Sequence, residues 1–214
     1  MIHEDDGITQ IPDNLSFSEA VAAMEGAHYA YNFIKRIQDL KGKSVLVNGA
    51  TGAIGSAALQ FLVYHGAIVT AVCRKKHDEL IRSYGANEVI HYDKEDFTKT
   101  NQIYDVIFDA AGKSTFGQCK GILRQNGFYI SSELGPKLQN PLLSLLTLFG
   151  TGQKVKFPIP TDVKKSKRYI MNRLADDSFK PMIDREYPFE DIRKAYKYVL
   201  GGQKVGNVVL KFED

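Results

Sequence analysis

Apolar residues along this chain arrive in two alternating rhythms. Short runs of strand length recur as Ser44-Val-Leu-Val-Asn48, Ala67-Ile-Val-Thr-Ala-Val-Cys73, Glu88-Val-Ile-His91, Tyr104-Asp-Val-Ile-Phe-Asp109 and Gly127-Phe-Tyr-Ile-Ser-Ser132. Runs this short and continuous, bounded by glycine and polar residues, predict buried β-strands. Between them the spacing turns helical. Ile54, Ala58, Phe61, Leu62 and His65 share a face until Gly66, and residues 78–84 form a shorter helix closed by Gly85. Strands separated in this way by amphipathic helices predict an α/β fold: a doubly wound parallel sheet of six strands with helices on both faces.

The flanks extend the pattern. Ser16 or Ser18 is placed to cap a helix holding Glu19, Ala20, Val21 and Met24, and a second helix is predicted over residues 27–37. Ser114 is placed to cap the helix after the fourth strand. Residues 133–152 break the rhythm with proline, glycine and an apolar helix at 142–149. Residues 153–157 then supply the sixth strand, ended by Pro158 and Pro160. A long helix runs from Asp162 with Val163, Ile170, Met171 and Leu174 on one face. The last helix is predicted to start at Pro188, with Ile192, Ala195, Tyr196, Val199 and Leu200 as its apolar stripe. Gly201-Gly202 stops it, and residues 205–212 make a final strand.

Chemistry enters where the first strand ends. There the chain reads Asn48-Gly49-Ala-Thr-Gly52-Ala53-Ile54-Gly55, a small-residue turn running straight into a helix. Strand, glycine turn and helix in that order make the phosphate cradle of a Rossmann-type dinucleotide-binding unit. The first glycine permits the tight turn, the second lets backbone approach a pyrophosphate, and the third lets helix pack on strand. Free N–H groups at the helix start then face the anion. The G-x-x-G-x-x-G spacing departs from the usual G-x-G-x-x-G, so the surrounding strand–helix–strand unit carries the reading.

The end of the second strand bears on the cofactor. An NAD site usually places an acid there for the ribose 2′-hydroxyl. Here the corner is Cys73-Arg74-Lys75-Lys76, whose cations suit a 2′-phosphate, unless they are simply a solvated basic loop. The expectation is NADP(H).

Other chemistries fit less well. Gly42-Lys43-Ser44 and Gly112-Lys113-Ser114 have isoleucine, at 37 and 107, where a mononucleotide P-loop needs glycine. The five histidines show no metal-ligand spacing, and no metal is expected; His28 and His65 read as helix residues with satisfied ring nitrogens. Tyr31-x-x-x-Lys35 resembles the acid–base pair of short-chain dehydrogenases but precedes the glycine turn, where that family needs it downstream. No G-x-S-x-G nucleophile elbow occurs.

Bulk properties narrow the class further. A net charge of +3 over 214 residues is too small to argue for nucleic acid. The Lys164-Lys165-Ser-Lys167-Arg168 run reads either as a solvated helix face or as a basic membrane or nucleic-acid face. Residues 141–149 form the longest apolar run, well short of the ~20 that span a bilayer. Residues 1–7 are polar where a signal peptide needs an apolar core, and Cys73 and Cys119 suit reduced thiols. A cytoplasmic protein is the expectation, with no membrane or nucleic-acid partner.

Three stretches carry a resemblance: 45–55, Tyr84-Gly-Ala-Asn-Glu-Val-Ile-His-Tyr92, and 104–112 with its Asp-Ala-Ala-Gly ending. Together with the closing Gly202-Gln-Lys-Val-Gly-Asn-Val-Val-Leu210, they resemble the medium-chain dehydrogenase/reductase superfamily, in its zinc-independent quinone oxidoreductase (zeta-crystallin-like) group. The resemblance implies an oxidoreductase that passes hydride from NADPH to a quinone, enone or aldehyde. It places Gly52, Ala53 and Ile54 against the pyrophosphate, Arg74, Lys75 and Tyr92 around the 2′-phosphate, and Ala110, Gly112, Ser131 and Ser132 by the ribose and nicotinamide. Tyr29 stands where the family commonly has threonine.

The family also carries a catalytic β-rich domain ahead of this point, on the order of a hundred residues or more. The expected division is therefore a lead-in at 1–14, a dinucleotide-binding domain at 15–183, and a C-terminal helix and strand at 184–214 that return toward the catalytic domain. A non-catalytic NADPH-binding or interaction module is the alternative. Family members often pair through the sheet edge, so a homodimer through residues 154–157 is expected. The 142–149 helix walls a pocket, forms a dimer edge or packs in the core.

Overall fold

The computed structural model describes residues 9–212. The expected lead-in at 1–14 and the leaderless start at 1–7 therefore lie largely or wholly outside the described residues. Six strands form one sheet: β1 (Ser44–Asn48), β2 (Ile68–Cys73), β3 (Glu88–His91), β4 (Tyr104–Asp109), β5 (Leu123–Ser131) and β6 (Lys154–Lys156). Their order is β3-β2-β1-β4-β5-β6 and every pairing is parallel. The direction of winding reverses between β1 and β4, the crevice where doubly wound sheets bind ligands. The predicted α/β class and strand count hold.

Eight helices accompany the strands among the described residues: α1 (Phe17–Ala22), α2 (Glu25–Ile34), α3 (Ala53–Tyr64), α4 (Asp78–Ser83), α5 (Phe116–Cys119), α6 (Gln139–Leu146), α7 (Val163–Ala175) and α8 (Ile192–Leu200). Helices α2 and α3 pack together over β1. The core they enclose joins Phe33, Val45, Val47, Leu59, Phe61, Val69, Val106 and Ile130, all essentially inaccessible. A second core on the opposite face holds Leu46, Val72, Tyr104, Ile107, Tyr129 and Val155. Odd and even strand positions thus serve different layers, which is why the strands read as continuous apolar runs.

Several expectations are corrected. Helix α2 is shorter than 27–37 and begins earlier, and α6 starts three residues before the expected 142. Strand β5 begins at Leu123, through a positive-φ Asn126 (67°), rather than at Gly127. Residues 183–188, unassigned from sequence, form a strand β7 (Ile183–Pro188) that pairs in parallel with β8 (Asn207–Lys211). Pro188 therefore ends a strand, and α8 starts at Ile192 after a short 3-10 turn. The expected apolar stripe of α8 is only partly covered: Ala195 is buried, whereas Tyr196 and Leu200 are 64% and 83% exposed. On α7, Ile170 and Leu174 are buried as expected, but Val163 is exposed and Ser166 takes an inner position.

His28 and His65 both find partners. His28 Nδ1 lies 2.6 Å from Ser166 Oγ, joining α2 to α7. His65 Nε2 lies 3.0 Å from Tyr169 Oη, with the rings stacked. Burial first, and the Arg173 charge second, hold the His65 pKa below its ordinary 6.5. Tyr31 and Lys35 sit beside this cluster, and Lys35 pairs with Asp162 at 3.6 Å.

Two measurements test this packing. Phe61 touches Tyr169 and Phe179 with ring centroids 5.0 and 4.9 Å away, so Phe61→Ala is expected to cost about 3–5 kcal/mol in urea denaturation. Phe17→Ala, at an 84% exposed position, should stay within about 0.5 kcal/mol. For His65, a depressed folded pKa means the unfolded chain binds the proton first as pH falls. Stability should therefore decline as pH drops below 6.5 toward the folded pKa, and His65→Gln should flatten that decline.

Candidate functional site

All six strands end on one edge of the sheet, and register aligns Asn48 with Asp109 and Asp109 with Ser131. The turn after β1 fills the middle of that edge. Gly49 takes φ of 79°, and a Cβ there would lie 2.9 Å from Ala111 Cβ. A Cβ on Gly55 would collide with the Gly49 carbonyl and lie 3.0 Å from Ala50 Cα, so the third glycine brings α3 against the turn. Gly52 has ordinary φ of −80° and only the Gly49 carbonyl, at 3.4 Å, near its missing Cβ; its smallness keeps the approach open rather than shaping the chain.

Gly52 caps α3 without any side-chain hydrogen bond. The first-turn amides of Ala53, Ile54 and Gly55 have no acceptor one turn back, as at any helix start. The helix start borders a cleft of about 530 Å³ lined by Gly52, Ala53 and Ile54, by Ala110, Ser132 and Glu133 beyond β4 and β5, and by Glu25, Gly26 and Tyr29 of α2. Lys204 and Asn207 close it from the C-terminal segment. A larger groove of about 670 Å³, lined mainly by apolar residues such as Leu15, Val21, Met24 and Leu174, contains none of the glycine-turn residues. The smaller cleft is the one where donors converge.

Asp109, which ends β4, is fully buried and ties that strand end to β1, to β5 and to the loop that follows it. Its Oδ1 accepts from Asn48 Nδ2 at 2.9 Å, Ala111 N at 3.1 Å and Gly112 N at 3.0 Å. Its Oδ2 accepts from Ser114 N at 3.0 Å, Ser114 Oγ at 2.7 Å and Tyr129 Oη at 3.1 Å. Ser114 is thus engaged with the carboxylate, and Thr115 caps α5 through a capping box with Gln118. Burial, with the Asp109 charge beside it, drives the Tyr129 phenol far above its usual range.

The expected residues fall into four groups. Gly52, Ala53, Ile54, Ala110 and Ser132 line the cleft. Asn48, Gly49, Gly55 and Gly112 shape its floor and walls: Asn48 spends its amide on Asp109, and Gly112 takes φ of 64° beside Glu133. Ser131 is buried, its Oγ accepting from Glu133 N at 3.2 Å. Arg74, Lys75 and Tyr92 meet at the ends of β2 and β3, where Arg74 Nε donates to Tyr92 Oη at 2.7 Å. The Lys75 amide donates to Asp93 Oδ1 at 3.0 Å, leaving its ammonium exposed.

Sequence reasoning passed over the C-terminal wall. Gly206 N donates to Thr51 O at 2.6 Å, and Gly52 and Gly206 form a parallel bridge. Lys204 Nζ donates to Gly206 O at 2.7 Å, and burial lowers its pKa against a smaller opposing pull from Asp184. Gly26, left between two predicted helices, falls inside α2, and a Cβ there would sit 2.7 Å from the Ala53 carbonyl carbon.

A dinucleotide fits what is present. Among the described residues Ser132 Oγ is buried with no hydrogen-bond partner, and the α3 start has no side-chain cap, so both can take up polar groups of a ligand. Among the described residues, no three His, Cys, Asp or Glu side chains converge as metal ligands. No helix there is long and apolar enough to cross a membrane.

The comparisons agree with this geometry. A family model described as zinc-binding dehydrogenase matches residues 84–210. The 2-methylene-furan-3-one reductase of Solanum lycopersicum is 28% identical over 93% of this chain and 48% of its own length. The chloroplastic NADPH-dependent alkenal/one oxidoreductase of Arabidopsis thaliana is 27% identical over 93% of this chain and 48% of its own. The quinone oxidoreductase structure from Coxiella burnetii shares the fold with a TM-score of 0.85, at 20% identity, over 97% of this chain and 65% of that one. The chain spans about half the length of the curated relatives it matches.

Gly55→Ala checks the turn: the added methyl must displace the Gly49 carbonyl, and a loss of about 1–3 kcal/mol is expected in thermal denaturation. Gly52→Ala, with room for its Cβ, should lose less. From its glycine turn, its strand-end cleft and these matches, the chain belongs to the zinc-binding dehydrogenase family, within the quinone-reductase-like group of the medium-chain dehydrogenases/reductases.

Proposed function

We propose that this chain is the NADP(H)-binding portion of an oxidoreductase that passes hydride to a quinone, enone or similar activated carbonyl compound. The observation that carries the reading is the uncapped α3 start opening on the cleft with an unpartnered Ser132 hydroxyl at its far wall. The amides of Ala53, Ile54 and Gly55 would hold the pyrophosphate, and Ala110, Gly112, Ser131 and Ser132 would border the ribose and nicotinamide. A bound cofactor supplies the hydride; the chain's own residues bind and orient it.

The Arg74–Tyr92 hydrogen bond supports NADP(H) over NAD(H). It holds the guanidinium at the strand-end corner beside Lys75, where the ribose of a dinucleotide on this turn belongs. Arg offers a rigid fork to a phosphate and no acceptor to a hydroxyl pair. Names of relatives that include alkenal/one and furanone reductases support an activated, conjugated carbonyl as substrate class.

The unit of residues 15–183 is taken as the dinucleotide-binding domain, and 184–214 as an appended segment built on the β7–β8 pair. Strand β6 is the last in the sheet order, and the neighbouring Leu142, Leu145, Leu146 and Phe149 are more than half exposed. A homodimer through this edge follows, and a monomer in concentrated sedimentation runs would overturn it. Cys73 and Cys119 are free and buried, their thiols pushed up to about 11 by burial, in keeping with a reducing compartment such as the cytoplasm.

Fluorescence titration tests the cofactor assignment. The wild-type chain should bind NADPH more tightly than NADH, and Arg74→Ala should weaken NADPH about tenfold or more while sparing NADH. Equal binding of the two by the wild-type chain would reject the 2′-phosphate role. NADPH oxidation assayed with quinones and enals separates a reductase from a cofactor-binding module: turnover by this chain excludes the module.

A further inference from the structure

The stretch that follows β2 carries no acid, and the fold brings one to it from β3. Strands β2 and β3 run in register to Cys73 and His91, and the pairing continues past both ends. Tyr92 N donates to Cys73 O at 3.0 Å, and Arg74 Nε donates to Tyr92 Oη at 2.7 Å. One residue on, the Lys75 amide donates to Asp93 Oδ1 at 3.0 Å. Arg74 thus stands beside Tyr92, and Lys75 beside Asp93. The carboxylate that an NAD site usually takes from the end of β2 is present here on the continuation of the neighbouring strand.

Asp93 and Lys75 are exposed, and Arg74 is half-buried. The Lys75 amide, ahead of the nearby Lys94 charge, holds the Asp93 carboxyl below its usual range, so the group is an anion at neutral pH. The charged groups at this corner differ in what they can hold. A guanidinium only donates, which suits a phosphate. A carboxylate only accepts, which suits a hydroxyl pair and repels a phosphate. Each ribose form of a dinucleotide therefore has a partner within the same few residues. Asp93 also has a structural use, since its bond to the Lys75 amide steadies the start of the 3-10 turn at Lys75–His77.

We propose that Asp93 is a specificity-determining residue: its carboxylate accepts from the ribose hydroxyls of NAD(H) and opposes the 2′-phosphate that Arg74 favours. The role rests on the reading of the cleft as a dinucleotide site. NADPH and NADH differ only at that ribose position, so the rest of each molecule offers the chain the same groups. With both charges in place the chain takes either cofactor, and Asp93 narrows the preference for NADPH that Arg74 creates. Removing the Asp93 charge moves the two affinities in opposite directions. A purely structural Asp93 would, on removal, loosen the turn and move them in the same direction.

Fluorescence titration of NADPH and NADH on the full chain separates the two roles. Asp93→Asn keeps an oxygen for the Lys75 amide and removes only the charge. This variant should bind NADPH more tightly than wild type and NADH more weakly. The ratio of the NADH to the NADPH dissociation constant should rise about tenfold at low salt, the scale of one unit charge near a protein surface. The rise should shrink as salt is added, because the corner is exposed. An unmoved ratio, or constants that shift together, overturns the role of Asp93 and leaves the cofactor reading standing. Asp93→Ala, which also gives up the Lys75 bond, should raise the ratio as well. A ratio that moves in Asp93→Ala but not in Asp93→Asn assigns the effect to the turn and overturns the proposal. Failure of the wild-type chain to bind either cofactor overturns the dinucleotide reading, and this role with it.

Discussion

A carbonyl oxygen and a missing side chain decide where this protein can hold a ligand. The Gly49 carbonyl occupies the space a Cβ on Gly55 would need, and that contact seats α3 directly on the end of β1. Other segments close on the same turn. Ala111 presses on Gly49, Gly26 of α2 meets the Ala53 backbone, and Gly206 donates to Thr51. Parts of the chain far apart in sequence thus converge on a surface made almost wholly of backbone. Such a surface recognises by the direction of its N–H groups, and an uncapped helix start turns that direction toward an anion. Any side chain at 26, 49 or 55 would push one of these segments away.

The sheet could be read from the sequence because its strands are buried on both faces and so appear as unbroken apolar runs. Strands β3 and β4 fall at Glu88–His91 and Tyr104–Asp109, where the runs placed them. Strand β7 escaped because it belongs to a two-stranded sheet. Its Ile-Asp-Arg-Glu-Tyr-Pro sequence has charged residues on a half-exposed surface, and Pro188 suggested a helix start instead. The exposed Tyr196 and Leu200 show the converse: helical spacing gives the stripe but not whether anything covers it.

The site divides along the same line. The glycine turn and the Arg74–Lys75 corner are local in sequence, so their chemistry was visible there. Gly26 meets Ala53, and Asp109 reaches Asn48 and Tyr129, across tens of residues that no local pattern links. Asp109 did leave a trace, as an acid closing an apolar strand ahead of Ala-Ala-Gly. A carboxylate so placed must be buried, and a buried carboxylate needs donors that a following turn can supply. Ser114 was misread as a cap because Thr115 beside it has Gln118 three residues on, and that reciprocal box claims the helix start.

Charge is distributed unevenly along the strand ends, and the unevenness has a physical logic. The cations of Arg74–Lys76 lie at the outer end, on a half-exposed corner, while the Asp109 carboxyl lies at the inner end, fully buried. Exposed charges are screened within about 10 Å at ordinary ionic strength, so the corner can act only on what touches it. Any selectivity there must come from shape, so the Tyr92 hydroxyl that aims the Arg74 guanidinium counts as much as the charge.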